Sequence, residues 1–216
     1  MMILLNALAF EAQWETPYDK SDVQEKTFTA IDGAKQAAKL MKSHESRYIE
    51  DANAIGFLRP YQNGEYSFGA LLPREDISLE NYIASLTAAD FYETVSNPKR
   101  AAVTAYLPKF EKKWSYELSG ILDELGMPLA FSDEADFSQM AEMPLHISAV
   151  QHKTYIKVDE KGTKAAAVTG IMTESDSVPE EPELKVEVRL DRPFVYFILD
   201  QKTNLPIFLG TVTSIE

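Results

Sequence analysis

The sequence has 216 residues, of which 45% are hydrophobic and 25% are charged, as is typical of a soluble globular protein with a sizeable core. Its 21 basic and 34 acidic residues give a net charge of −13, which argues against nucleic acid as a partner because phosphates need clustered Lys and Arg. The absence of cysteine excludes disulfide bonds and thiol catalysis, and no apolar run approaches the about 18 residues of a membrane span, so no membrane partner is expected.

The first part of the chain predicts strands joined by tight turns. Residues 1–13 are apolar at most positions and predict a buried central strand. This run has no basic segment before it and no small-residue cleavage site after it, so a signal peptide is not expected. Asp32-Gly33 and Asn63-Gly64 are typical of hairpin turns. The strands around these turns are expected at 25–29, 34–42, 47–50, 54–61 and 65–72.

Helical signals occupy the middle of the chain. Ser78 is a candidate N-cap, because the apolar residues that follow it recur at helical spacing. A later segment places Leu118, Leu122 and Leu125 on one helical face. Helices are therefore expected at 79–85, more weakly at 90–94, and from 115 to 125, with a short turn or helix at 133–140.

Apolar and polar residues alternate along several further segments, and two dense apolar runs close the sequence. No linker, repeat or low-complexity segment interrupts them. The order of elements predicts an α+β fold of mostly antiparallel sheet with a few helices, in a single domain over 1–216. The additional strands are expected at 100–109, 149–158, 184–188, 193–199 and 206–212.

One stretch does not fit this pattern. Residues 162–169 are small and nearly uncharged, whereas residues 170–182 are loop-like and acidic. An Ala-rich segment normally predicts a helix, but the β-branched residues Thr163, Val168 and Thr169 and the flanking glycines weaken that prediction. We interpret the stretch as a mobile loop that is able to leave the surface and become a strand.

Several segments resemble a known family, the serpins, which are serine-protease inhibitors. Residues 160–169, Glu-Lys-Gly-Thr-Lys-Ala-Ala-Ala-Val-Thr, resemble the hinge of the serpin reactive-centre loop, and 191–194 and 207–211 resemble the C-terminal signature. Residues 4–14, 107–110 and 131–137 also fit, so the likeness is collinear over essentially the whole sequence. It implies a serpin-like fold that lacks the family's N-terminal helical region, with the reactive-centre loop at about 160–182.

The resemblance also implies a function. A serpin inhibits a serine protease as a suicide substrate: the protease attacks the loop, and the cut loop inserts into a β-sheet. Two alternatives stay open, a non-inhibitory binding or assembly module with the same fold and an inactive fragment. The implied partner is a target serine protease, and a second copy of the chain is a candidate partner through loop or strand exchange. No cofactor or metal is expected. The parent protein would act outside the cell or in its envelope.

The resemblance assigns the hinge and the cleavage site. Counting from Glu160, the family spacing puts the reactive-site bond at Asp176–Ser177, and a shift of one residue would expose Ser175 instead. Side chains alternate along a strand, so Thr163 and Ala165 would point inward from the sheet after insertion, and Lys164 would point to the other face. The hinge residues are Glu160, Gly162, Thr163, Ala165, Ala166, Ala167 and Thr169.

The remaining candidates are polar residues on the predicted strands. None of the three histidines, His44, His146 and His152, has the spacing of a nucleophile motif or a metal site, so no enzyme is expected. The resemblance implies a hydrogen bond between Asn6 and His152 where two central strands part. It further implies an ion pair between Lys109 and Glu160 near Trp14, which would fasten the root of the loop.

Overall fold

The computed structural model describes residues 2–163 and 184–215. These residues form two compact units. The smaller unit comprises Met1–Phe10 and Glu111–Lys157, and the larger unit comprises Glu11–Phe110 and Val158–Glu216. Several predicted hinge and cleavage-site residues lie outside the described residues, namely Ala165, Ala166, Ala167, Thr169, Asp176 and Ser177.

Strands dominate both units. The strands are β1 (Met2–Ala9), β2 (Ala12–Gln13), β3 (Val23–Thr29), β4 (Lys35–Glu50), β5 (Ala54–Pro60), β6 (Tyr66–Pro73), β7 (Lys99–Pro108), β8 (Phe110–Glu117), β9 (Ile147–Val158), β10 (Gly162–Thr163), β11 (Lys185–Arg189), β12 (Phe194–Asp200) and β13 (Pro206–Val212). The helices are α1 (Leu79–Ser85), α2 (Ala88–Ser96) and α3 (Ser119–Glu124), with 3-10 segments at Lys20–Asp22 and Pro128–Phe131.

The larger unit is built on a sheet with the strand order β11-β7-β4-β5-β6-β12-β13, and β3 also pairs with β4. Its pairs are antiparallel except β11 with β7, as the sequence predicts. Helices α1 and α2 contribute Tyr82 and Val95 to a buried core with Phe197 of β12. The apolar run of β12 is buried because the strand has a neighbour on each edge and side chains packed against it.

The predicted turns and the first helix are confirmed. Gly33, Asn63 and Gly64 have φ angles of 84°, 76° and 68°, the left-handed conformation that Gly and Asn adopt most readily. The hydroxyl of Ser78 accepts a hydrogen bond from the backbone N–H of Asn81 at 3.2 Å and so caps α1. Local sequence signals therefore set these element ends.

The smaller unit contains a parallel pair, β1 with β9, and β8 also pairs with β9. The predicted helix start at Ser115 is wrong, because β8 continues to Glu117 and α3 begins at Ser119. Aromatic residues such as Trp114 favour a strand, and pairing with β9 outweighs the helical spacing of the leucines. The Glu117 carboxylate accepts the backbone N–H of Ser119 at 3.1 Å and marks the end of the strand.

The expected burial of the first strand is also wrong. The apolar side chains of β1 are largely open to solvent, with Ile3 at 52% and Leu5 at 76% exposure. A continuous apolar run indicates that a strand is suited to burial, but it does not say which segment covers it. Within the described part of the smaller unit, β1 is paired only along its edge with β9.

Two kinds of feature are absent from the described residues. None of their helices is long and apolar enough to cross a membrane. In the same ranges, 2–163 and 184–215, no group of three or more His, Asp or Glu side chains is arranged to hold a metal ion.

Candidate functional site

The loop root, defined as residues 159–163, carries the first predicted hinge residues and belongs to the larger unit. Its strand β10 lies between β2 and the end of β9. Gly162 pairs with Gln13, and Thr163 pairs with Ala12 on one side and Val158 on the other, all in the antiparallel sense. The start of the hinge is therefore already a short strand with a neighbour on each side.

The backbone after β2 holds the loop root from one side. The N–H of Trp14 donates to the carbonyl of Lys161 at 3.0 Å, and the N–H of Tyr18 donates to that of Glu160 at 2.9 Å. The indole N–H of Trp14 donates to the carbonyl of Asp159 at 2.9 Å. Three successive carbonyls of the loop root are thus fixed by one short segment, which we call the clasp segment and define as residues 14–18.

Thr163 is fully buried, with 0% of its surface exposed. Its hydroxyl shares a hydrogen bond of 2.6 Å with the hydroxyl of Tyr61, whose ring stacks on Trp14 at a centroid distance of 4.7 Å. Burial raises the pKa of Tyr61 above its ordinary value, and the hydrogen bond with Thr163 offsets only part of that rise. Tyr61 is therefore a neutral partner that satisfies a hydroxyl buried in an apolar setting.

Gly162 fits this site because it has no side chain. A Cβ at this position would collide with the carbonyl group of Ala12 and lie 2.8 Å from the Cα of Gln13. Any other residue would have to push β10 away from β2. The close approach of the two backbones thus depends on a glycine in the hinge.

Lys109 and Glu160 form an ion pair at the loop root, with side chains 27% and 29% exposed. Partial burial disfavours the charged form of Glu160, but the hydrogen bond from Lys109, a backbone hydrogen bond and nearby positive charge together lower the pKa of the carboxyl below its ordinary value. The Glu160 carboxyl is therefore ionised at neutral pH, and the pair lies where the loop leaves β9.

Two charged residues that the sequence reasoning missed lie against the clasp segment. Arg59 of β5 and Glu45 of β4 form an ion pair in which both residues are buried, at 5% and 8% exposure. The guanidinium carbon of Arg59 lies 4.0 Å from the centroid of the Tyr18 ring and 5.1 Å from that of Trp14. The signal that was available is an arginine inside the apolar run 54–60.

Asn6 and His152 belong to the smaller unit. The register of the parallel pair places them opposite each other on β1 and β9. Asn6 is exposed, although the first strand is expected to be buried, and His152 is half-buried. In the same unit, His146 Nδ1 lies 3.3 Å from an Asp133 oxygen near the surface.

A model of the serpin family, described as serine protease inhibitor, matches residues 1–215. The chain belongs to the serpin family. Among curated serpins, it is 34% identical to Serpin-ZX of Hordeum vulgare, and the match covers 98% of this chain and 56% of that protein. The chain thus spans about half the length of the curated relatives that it matches.

Solved serpin structures agree with this assignment. The thermophilic serpin tengpin in its native state is 46% identical with a TM-score of 0.87, and the match covers 98% of this chain and 55% of tengpin. The latent state of tengpin gives a TM-score of 0.76 at 40% identity and covers 94% of this chain and 54% of tengpin. Human thyroxine-binding globulin in complex with thyroxine is 28% identical with a TM-score of 0.83. The match covers 99% of this chain and 56% of the globulin.

The larger unit of this serpin chain gathers a subset of the predicted site residues at the loop root. These residues are Trp14, Lys109, Glu160, Gly162 and Thr163. Asn6 and His152 stand opposite each other in the smaller unit. Buried partners of the loop root, Tyr61 above all, are visible only in the folded chain, because Tyr61 and Thr163 lie 102 positions apart in the sequence.

Proposed function

We propose that the whole serpin that contains this chain inhibits a serine protease by inserting its cleaved reactive-centre loop, residues 160–182, as a new strand. The observation that carries the proposal is the paired state of Gly162 and Thr163 in β10, with the Thr163 side chain buried. A loop whose first residues already form a strand needs no new nucleation to extend that strand. Insertion would continue from an existing ladder.

The proposed insertion replaces one set of strand pairs with two. Strands β1 and β9 are paired in parallel from Ile3 opposite Ala149 to Ala9 opposite Tyr155. Strand β10 is antiparallel to β2 and to the end of β9, and we propose that the inserted loop pairs in the same antiparallel sense. Antiparallel ladders are slightly more stable per residue than parallel ones, so the exchange favours insertion once cleavage frees the loop.

The composition of the hinge supports the same proposal. Ala165, Ala167 and Thr169 would follow Thr163 on the inward face, and small side chains cost little to bury. No proline occurs from Gly162 to Ser177, so every residue of this stretch can donate to a strand ladder. We place the reactive-site bond at Asp176–Ser177.

In this mechanism the chain is a trapped substrate and has no catalytic role. The protease supplies the nucleophile, attacks the Asp176 carbonyl carbon and forms an acyl-enzyme, while Ser177 leaves as the new amino terminus. Insertion then carries the acylated protease away from the loop root before water can release it. The location implied for the parent protein, outside the cell or in its envelope, stays a prediction that fractionation of the source cells tests.

A second candidate function is ligand binding without inhibition. Thyroxine-binding globulin has the same fold over 99% of this chain and is solved in complex with thyroxine, so the fold also serves small-molecule binding. The composition of the hinge favours inhibition, because nothing at its inward positions would obstruct insertion.

Mixing the whole serpin with elastase-, subtilisin- and granzyme-type proteases tests the proposal. Inhibition by insertion gives a complex that survives SDS and migrates at the summed mass. Ala165→Arg should abolish the complex and leave loop cleavage, because Ala165 is the next inward position of the hinge and a guanidinium that insertion buries unpaired costs several kcal/mol. Thr27→Arg is the control for the added charge, since Thr27 is exposed on β3. Loop cleavage by the wild type without a high-mass band from any of these proteases would favour the binding-module function instead.

A further inference from the structure

The buried ion pair Glu45–Arg59 has no evident role in stabilising the sheet. Removing two charges from water is expensive, and a buried pair is often no more stable than apolar residues of similar volume. Arg59 lies between the apolar Leu58 and Pro60 of β5, where an aliphatic residue would pack without that cost. A reason for the pair must come from what its charged groups contact.

Arg59 directs its contacts to the clasp segment. One guanidinium nitrogen donates to Glu45, and another, Nη2, donates to the backbone carbonyl of Thr16 at 2.5 Å. The flat face of the guanidinium lies over the rings of Trp14 and Tyr18, at distances where a cation attracts an aromatic ring. Arg59 thus holds residues 14, 16 and 18, while Glu45 fixes the guanidinium in the orientation that makes these contacts.

The clasp segment in turn holds the loop root. Trp14 and Tyr18, the two residues under the guanidinium, donate the backbone hydrogen bonds to the carbonyls of Lys161 and Glu160. The Trp14 indole adds the bond to Asp159. A continuous set of contacts therefore runs from Glu45 through Arg59 and the clasp segment to three carbonyls of the loop root.

We propose that Arg59, oriented by Glu45, is a positioning residue that holds the clasp segment and thereby sets how tightly the loop root stays paired. The inference rests on the proposed function, because the loop root is where insertion would begin. A planar guanidinium suits this task, since it can bridge a carboxylate, a carbonyl and two rings at once, whereas a lysine ammonium offers a single point charge.

Amide hydrogen exchange of the 216-residue chain tests the proposal. The readout is the exchange rate of three amides: those of Trp14 and Tyr18 donate to the loop root, and that of Asp159 donates within it. The reference is the exchange rate of the amides of β12, which is paired along both edges. The double variant Glu45→Gln/Arg59→Met removes both charges together and leaves no buried charge unpaired. We expect exchange of the three amides to accelerate about tenfold relative to β12, as after loss of one charge-assisted hydrogen bond.

Two further variants separate positioning from general stability. Arg59→Lys keeps the charge, so the exchange rates of its three amides should lie between those of the wild type and those of the double variant. Arg47→Met is the matched control: Arg47 is a partly buried arginine of β4 that donates to Gln201, and its loss should leave the three amides unchanged relative to β12. A merely structural role of Arg59 would accelerate the amides of β12 by the same factor.

Trp14 provides a second readout. In a Trp114→Phe background it is the only tryptophan, because the sequence has two. The double variant should increase acrylamide quenching of Trp14, whereas Arg47→Met should not. Unchanged relative exchange of the three amides in the double variant would overturn the proposal. Failure of the wild-type serpin to trap a protease would instead count against the proposed function alone, since neither readout requires a protease.

Discussion

The hydroxyl oxygens of Tyr61 and Thr163 lie 2.6 Å apart, in a hydrogen bond between two side chains that are both almost completely buried. Thr163 is the residue at which the predicted hinge would enter the sheet. Its side chain already occupies an inward position before any cleavage. The Tyr61 hydroxyl therefore satisfies the buried polar group of Thr163.

The first prediction concerns this hydrogen bond. Tyr61→Phe leaves the Thr163 hydroxyl buried and unpaired, so we expect the free energy of unfolding in urea to fall by about 1–3 kcal/mol. Tyr196→Phe is the matched control, because the buried Tyr196 hydroxyl has no hydrogen-bond partner among the described residues. Removal of the Tyr196 hydroxyl should leave the free energy of unfolding unchanged or raise it slightly. Equal losses in the two variants would show that the bond to Thr163 contributes nothing specific.

The second prediction concerns the glycine of the hinge. Gly162→Ala places a Cβ against the β2 backbone at Ala12 and Gln13, so β10 should separate from β2. We expect faster amide exchange at Trp14 and more rapid proteolysis near the loop root, without loss of the large sheet. Gly120→Ala is the control, since a Cβ in α3 meets no atom within 4 Å and alanine favours a helix by about 1 kcal/mol. A protected Trp14 amide in Gly162→Ala would contradict the steric argument.

Local signals in the sequence were sufficient for most of the fold. The turn at Asn63-Gly64, the N-cap Ser78 and the dense apolar strand β12 were predicted because each depends on neighbours along the chain. The start of α3 was missed because strand pairing of β8, a long-range effect, outweighed the helical spacing of its leucines.

The candidate site was only partly predictable for the same physical reason. The family resemblance located Glu160, Gly162 and Thr163, but it did not reveal Tyr61 or Arg59. Their roles arise from contacts across the sheet, Tyr61 with Thr163 and Arg59 with Thr16, which no periodicity in the sequence encodes. An arginine in an apolar strand indicates that Arg59 is unusual, but the sequence does not show which residues it contacts.

The third prediction concerns pH. The folded chain lowers the pKa of Glu160 below its ordinary value of 4.5, so the ion pair with Lys109 stabilises the fold above that value. This stability is lost as pH falls through the lower folded pKa. A double-mutant cycle with Lys109→Met and Glu160→Gln should give a coupling energy of up to about 1 kcal/mol at neutral pH and none near pH 2.

The exposed pair Lys113–Glu111 is the control for this cycle. Its side chains are 72% and 44% exposed, so its coupling energy should be close to zero at both pH values, because solvent screens the charges. A coupling energy for Lys109–Glu160 that is unchanged at low pH would mean that the pair does not depend on the ionised carboxylate.

The last prediction concerns self-association of the 216-residue chain. An apolar strand with exposed side chains is a template for pairing with another chain, and β1 presents Ile3 and Leu5 in this way. We expect dimers or larger species in size-exclusion chromatography with light scattering, and we expect Leu5→Lys to shift the chain towards monomer. Leu125→Lys is the control, because Leu125 is equally exposed, at 75%, but lies outside the strands. If Leu125→Lys dissociated the oligomers as well as Leu5→Lys does, general hydrophobicity would explain them. A wild-type chain that stays monomeric would overturn the role of β1.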